Sequence, residues 1–338
     1  MIDGWQASIS MGRTSRGWTA IAVAVLVLVA CSGPHTNHNG EDATAAIQKY
    51  ATTTTEVLDA VKAAQRLSHL PDSVAASLAE PNEAGPDSDG GREFDCRNTT
   101  GSENPAHADQ FGSCAFGDPL GSKLMVIYGD SLAVMWAAAL QVLAEKHGWK
   151  LKVFSLGGCP GPDLHFLSAE TKRPNTDCDT FHTSAPATIT ALHPDLVIVT
   201  SVGGHALSDG NEPTHAQWQD GWVSILEKLS QPGTRLAMIG SIPVWENNGA
   251  RCLAAHLRAV QECSAPVAEG EPTHLDAEQA AAAAGGALYV PVIPWVCAER
   301  CEPVIADMVV YSNPYHLTEK YAVYLTGALE EAMMPALM

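Results

Sequence analysis

Residues 126–134 read VIYGDSLAV, an apolar run that breaks at Gly129-Asp130-Ser131 and resumes at once. A strand that turns sharply into a helix wants glycine at the turn, and a serine at the helix start presents its hydroxyl in the positive end of the helix dipole. Such a serine suits attack on a carbonyl, because its own backbone N–H faces the charge that develops on the oxygen. The position equally suits a helix N-cap, and the two roles are compatible in Ser131. A second segment, VVYSNPYHLTEKYAVYL (309–325), places His316 behind the turn signal Asn313-Pro314 and just before a helix whose start is marked by Thr318. If the two loops meet at one sheet edge, Ser131 and His316 form a nucleophile and general base for acyl transfer. Thirteen histidines occur in the chain, and only position and company single out His316.

The elements that position these residues show in the hydropathy pattern. Short apolar runs at 124–128, 151–156, 196–202, 236–242 and 287–293 alternate with helical stretches near 132–147, 183–192, 214–230, 274–284 and 317–334. Continuous apolar strands separated by helices imply a parallel sheet covered on both faces, hence a three-layer α/β/α sandwich with a five-stranded, mainly parallel sheet. Ligands of such sheets bind beyond the carboxyl ends of the strands, where Ser131 follows the first strand directly. Upstream, Ile47, Tyr50, Val57, Leu58, Val61, Ala64 and Leu67 recur at helical spacing until Pro71. Residues 81–110 are rich in Gly, Pro, Asp and Asn without periodicity and read as a long irregular segment held by Cys96.

Composition narrows the compartment and the partners. Nineteen basic against 38 acidic side chains, with no Lys/Arg cluster, exclude nucleic acid as a partner. Arg13 and Arg16 precede the apolar run 20–30, which has the length of a secretory signal rather than of a membrane span. That run ends Leu28-Val29-Ala30-Cys31, which resembles the bacterial lipobox, with Cys31 lipidated and residues 31–45 as a tether. The other eight cysteines are an even set in an exported chain, and sequential pairing closes short loops: 96/114, 159/178, 252/263 and 297/301. Cys297-x3-Cys301 has no second compact pair to complete a zinc site, and Gly203-Gly204 lacks the lysine of a phosphate loop, so no metal, nucleotide or other cofactor is assigned. Trp218, Trp222, Trp245 and Trp295 read as core or rim residues rather than as sugar platforms.

FGDPLGSKLMVIYGDSLAVMWAAAL, with Gly-Asp-Ser followed by an aromatic residue five positions on, resembles the first block of the SGNH hydrolases. HLTEKYAVYL is similar to the segment after their catalytic histidine. More narrowly, Cys114 to Asp118, Gly158-Cys159-Pro160, Pro194 to Val199, Cys252 with Cys263, and HLPDSVAASL (69–78) resemble the extracytoplasmic SGNH domain found behind acyltransferase-3 membrane proteins that O-acylate bacterial envelope glycans. The resemblance covers about residues 45–338. It implies the flavodoxin-like SGNH fold, with Ser131 as nucleophile, His316 as base, and the amides of Ser131 and of Gly157 or Gly158 as oxyanion donors.

The sequence departs from the family in three places. Leu132-Ala133 stands where His-Ala is common. The third-block Asn has no counterpart in TSVGGH (200–205), so that donor is missing or is supplied by the Gly203-Gly204 backbone. Asn313 stands where the family's Asp-x-x-His carries a carboxylate; Asp307 is a remote substitute, and Asp130 is structural in this motif.

The chain thus divides into a lipoprotein signal (1–30), a tether (31–45), an N-terminal helix with an irregular disulfide-held extension (46–119), and an SGNH-like domain (120–338). The expected activity is that of an exported, lipid-anchored O-acylesterase or O-acyltransferase on an acylated cell-envelope glycan or glycolipid, with a membrane acyltransferase as partner if it transfers. The alternative is a non-catalytic envelope-binding or accessory protein on a degenerate SGNH scaffold. A lipase is disfavoured because no extended apolar lid segment is visible.

Overall fold

The computed structural model describes residues 52–79, 115–246, 249–270 and 272–338. The expected signal and lipobox with Cys31, the tether, the irregular stretch 81–110 and the Cys96/Cys114 pair lie outside the described residues.

Strands β1 (Ala115–Gly117), β2 (Lys123–Gly129), β3 (Trp149–Ser155), β4 (Leu196–Thr200), β5 (Arg235–Ile239) and β6 (Leu288–Val290) form one sheet in the order β1-β3-β2-β4-β5-β6. The sheet therefore has six strands where the hydropathy pattern predicts five. The added strand, β1, runs antiparallel along β3, pairing Ala115 with Lys152 and Gly117 with Lys150. Three residues are too few to show a period, and only the β3 edge defines this segment as a strand. All other pairings are parallel. The run 287–293 shortens to Leu288–Val290 because Pro291 has no N–H for the ladder.

Consecutive strand residues point to opposite faces, and each face has its own core. Met125, Ile127, Leu151, Val153, Ile198 and Ile239 pack with helices α1 (Thr54–Ala64), α3 (Ser131–His147), α7 (Glu319–Tyr324) and α8 (Thr326–Leu337). Val126, Tyr128, Phe154, Val197, Val199 and Met238 pack with α4 (Thr176–Ala191), α5 (His215–Leu229) and α6 (Leu275–Ala284). Burial on both sides explains why the strands read as unbroken apolar runs. Helix α2 (Asp72–Ala79) follows Pro71, and its Val74 joins Leu70, Leu253 and Val260 in a satellite cluster. Trp136, Trp218 and Trp222 are fully or nearly fully buried.

Two helices differ from their sequence pattern for visible reasons. Helix α4 starts seven residues before the expected 183 and runs through Pro186, whose missing N–H releases the His182 carbonyl; Lys228 Nζ lies 3.5 Å from that oxygen. The stretch 317–334 splits at Leu325, where Thr52 Oγ1 donates to the Tyr324 carbonyl at 2.9 Å and the Thr52 backbone crosses Gly327. The disulfides 159–178, 252–263 and 297–301 are present as expected. No helix among the described residues is long and apolar enough to cross a membrane.

The closest backbone approach in the sheet lies just before the Asp-Ser pair. A Cβ at Gly129 would sit 2.1 Å from the Thr200 carbonyl oxygen, with which Gly129 is in register on β4. Gly129→Ala is expected to force β2 and β4 apart and to lower unfolding stability by about 3 kcal/mol, measured by urea denaturation.

Candidate active site

Helix α3 begins at Ser131, but its N-cap is Asp130, whose Oδ1 accepts the Leu132 N–H at 2.9 Å. Capping is thus the work of the preceding residue, and the Ser131 hydroxyl is available for a different partner. Ser131 is therefore not the expected cap, because the Asp130 carboxylate one position upstream already satisfies the Leu132 amide.

That other partner is His316. Its Nε2 lies 2.7 Å from Ser131 Oγ, and its Nδ1 lies 2.8 Å from Asn313 Oδ1. Asn313 ends strand β7 (Tyr311–Asn313) and His316 opens β8 (His316–Leu317), two short antiparallel strands joined by a tight turn with an irregular register. The turn is pinned on several sides. Leu317 N–H points at Met135 Sδ of α3 at 3.1 Å, Thr318 N–H donates to Val310 O, and Thr318 Oγ1 donates to Val309 O at 2.7 Å while capping α7.

The Asn313 amide fixes the tautomer. Its Oδ1 also accepts the Tyr315 N–H at 3.0 Å, which identifies that atom as oxygen rather than the amide nitrogen. An oxygen accepts only, so His316 carries its proton on Nδ1 and presents the Nε2 lone pair to the Ser131 hydroxyl. The arrangement therefore orients a general base toward a serine. Asn313 itself brings no negative charge to offset the imidazolium formed when His316 takes the proton. Asp307, the remote substitute, sits exposed in the turn between Val304–Ile305 and Met308–Val309, and Asn313 holds His316 Nδ1.

Asp130 holds the nucleophile loop to its neighbours. Its Oδ2 accepts from Ser201 Oγ at 2.8 Å and from Val202 N–H at 2.7 Å, and its carbonyl accepts from Ser155 Oγ at 2.7 Å. Ser201 Oγ also accepts the Gly161 N–H at 2.9 Å. The ends of β2, β3 and β4 are thus tied at one residue, through its carboxylate and its backbone carbonyl. Complete burial pushes the Asp130 carboxyl up to about 6, against the opposing pull of the Val202 and Leu132 N–H groups and the Ser201 hydroxyl. Ser155 and Ser201 were not legible as site residues, since a lone hydroxyl at a strand end carries no pattern of its own.

Gly157 and Gly158 follow β3 and are exposed; Gly203 and Gly204 follow β4, with Gly204 exposed. All four lie in loops that leave the same sheet edge as Ser131. Gly158 and Gly204 adopt φ of +71° and +87°, the left-handed region in which glycine alone is unstrained. Beyond Gly203 stands the nearly buried His274, stacked on Trp218 with ring centroids 4.7 Å apart. Cys159, Cys178 and His182 cluster elsewhere at ligand-like distances, but the two sulfurs are joined in a disulfide and offer no thiolate, and His182 Nε2 is bonded to Pro160 O at 2.8 Å.

The fold and this site define an SGNH-type domain of the hydrolase and acyltransferase kind. A family profile described as "SGNH domain (fused to AT3 domains)" matches residues 95–331, and the chain belongs to that family. Among solved structures, the chain is similar to the periplasmic domain of a lipopolysaccharide acetyltransferase from Salmonella ser. Paratyphi A (17% identity, 64% of this chain and 85% of that one, TM-score 0.49). It is also similar to a GDSL-like lipase from Bacteroides thetaiotaomicron (13% identity, 63% and 89% covered, TM-score 0.38). A comparison with curated protein sequences finds no match.

The Asp130 carboxyl binds its proton more tightly folded than unfolded, so its contribution to stability is complete below about pH 4 and is lost as pH rises through about 6. Asp130→Asn, which loses an acceptor, is expected to be less stable than the wild type at pH 4. Its stability should then fall less between pH 4 and pH 6, by about 2 kcal/mol, in urea titrations across that range.

Proposed function

We propose that this protein is an exported O-acylesterase or O-acyltransferase that handles an acylated glycan or glycolipid of the cell envelope. The observation that carries the reading is Ser131 Oγ at 2.7 Å from His316 Nε2, with Nδ1 held by Asn313. The AT3 fusion in the family's description and the SGNH resemblance of the sequence support this substrate class. Three disulfides, the apolar run 20–30 and Cys31 support export and a lipid anchor at that cysteine. A membrane acyltransferase is the proposed source of acyl groups if the protein transfers them.

The chemistry runs in two half-reactions. Ser131 Oγ bonds to the acyl carbonyl carbon as its proton passes to His316 Nε2, and the carbonyl π electrons move to oxygen. The Ser131 amide lies at the start of a 17-residue helix, whose dipole favours the oxyanion; Gly157 or Gly158, with Gly203-Gly204 on the other side, are the proposed further donors. Collapse breaks the bond to the leaving alkoxide, which takes the proton from His316. Water or a sugar hydroxyl then gives its proton to Nε2 and attacks the acyl-enzyme, restoring Ser131.

Throughout, Asn313 orients the ring without neutralising it. In a serine-protease triad, exchange of the aspartate for asparagine lowers kcat by about 10⁴, so turnover at this site is slow by the standard of a complete triad. The neutral amide also favours a second reading, a glycan-binding or accessory protein that retains the scaffold but performs no turnover.

Aryl acetate hydrolysis by the purified protein, beside Ser131→Ala and His316→Ala, separates the two readings. The esterase reading expects wild-type turnover above background and none in either variant. Wild-type turnover no faster than that of Ser131→Ala sinks the hydrolase reading and leaves a strictly donor-specific transferase or the binding protein. A carboxylate at 313 puts a negative charge beside Nδ1 where the amide has none, so Asn313→Asp is expected to raise kcat/KM by roughly tenfold or more at neutral pH, read in the same assay.

A further inference from the structure

Glu278 lies on α6, one turn after its N-cap His274; it is 2% exposed and ends against the loop that follows β5. Its Oε2 accepts the Ser241 N–H at 3.0 Å, and its Oε1 is within hydrogen-bonding reach of the Ser241 hydroxyl. That same hydroxyl lies 2.7 Å from the Ser201 carbonyl oxygen. A serine hydroxyl has one hydrogen, and a carbonyl oxygen can only accept. With the Ser241 hydrogen given to Ser201 O, the hydrogen between Ser241 Oγ and Oε1 comes from the carboxyl of Glu278.

We infer that Glu278 is held as a neutral acid and is a positioning residue: through Ser241 it fixes Ser201 and the loop after β4 beside the Ser131 nucleophile. The link to reaction rests on the acyl-transfer reading above. The chain of contacts is continuous, because the Ser201 that receives Ser241 at its carbonyl donates from its hydroxyl to Asp130, the cap of α3. The following residue, Val202, donates its N–H to the same carboxylate, and Gly203 and Gly204 come next.

The surroundings agree with a retained proton. Burial pushes the Glu278 carboxyl up to about 7, against hydrogen bonds from Ser241 and Tyr289 that favour the anion. The titratable groups that bear on it are Tyr289 Oη of β6 at 3.5 Å, itself pushed up by burial and by Glu278, and His274 and Asp276 at the start of its own helix. His215 of α5 meets His274 edge-on, and burial together with His215 holds the His274 imidazole below its ordinary range. When Glu278 ionises, the Ser241 hydroxyl turns to the carboxylate and Ser201 O loses its donor, which loosens the loop from 201 onward.

The test compares wild type with Glu278→Gln, whose amide hydrogens cannot be lost and can donate to Ser241 Oγ at every pH. Thermal unfolding is followed from pH 5 to pH 8.5, and hydrogen–deuterium exchange of peptides spanning 200–205 is measured at pH 6 and pH 8. The wild-type Tm is expected to fall more steeply with pH than that of the variant. Exchange in 200–205 should match at pH 6 and be at least about threefold faster in the wild type at pH 8, when Glu278 has ionised. Parallel Tm curves, or equal loop exchange at pH 8, overturn the inference. If Glu278→Gln does not fold, Ser241→Ala serves: with the relay cut, its loop should exchange fast relative to wild type at pH 6, and protection equal to wild type at pH 6 counts against the inference. Aryl acetate kcat/KM on the same samples then ties the loop to the reaction, with an alkaline fall in the wild type that is absent in Glu278→Gln. A wild type that hydrolyses nothing at any pH removes the acyl-transfer reading alone, because unfolding and exchange report on the loop without turnover.

Discussion

The buried carboxylate of Asp130 is the constraint on which the site depends. It stands where β2 ends, caps the helix that starts with Ser131, and receives two donors from the first residues beyond β4. Its carbonyl is tied in turn to Ser155 at the end of β3. Three strand ends are thereby fixed relative to one helix N-terminus. A charge buried this completely is costly unless hydrogen-bonded, and the hydrogen bonds come from the loops that need to be held. Support for the fold and preorganisation of the nucleophile are therefore the same set of contacts.

The pairing of Ser131 with His316 is built differently. The histidine rides on a two-strand turn outside the main sheet, and its orientation depends on one neutral amide oxygen shared with the Tyr315 N–H. Geometry is thus conserved in this chain without the electrostatics that a carboxylate provides. Orientation and tautomer already place the imidazole lone pair within reach of the Ser131 hydroxyl, the arrangement that proton transfer needs.

Much of this was legible from residues in order. Five of the six sheet strands appeared as apolar runs because both of their faces are buried, and Gly129-Asp130-Ser131 marked the turn because a Cβ at Gly129 has no room beside Thr200. Thr318 was readable as a cap and Cys159/Cys178 as a short disulfide loop. The edge strand 115–117 was not, being too short for a period, nor was the break at Leu325, which depends on Thr52 arriving from the far end of the chain. Ser201, Ser241 and Glu278 were equally silent: a hydroxyl or a carboxyl in a sequence gives no sign of its partner.

By itself, the sequence determined the alternation of buried strands and helices, the sharp turn into Ser131 and the amide in place of an acid at 313, because each of these is a local matter of hydropathy, sterics or side-chain chemistry. Only the tertiary structure decided that His316 meets Ser131, that Asp130 rather than Ser131 caps the helix, and that Asn313 turns its oxygen to the ring. The first joins residues 185 apart in the chain, and the other two are local contacts whose direction the surrounding loops set. They are set by how the strand ends and loops converge at one edge of the sheet, and no spacing of residues along the sequence encodes that convergence.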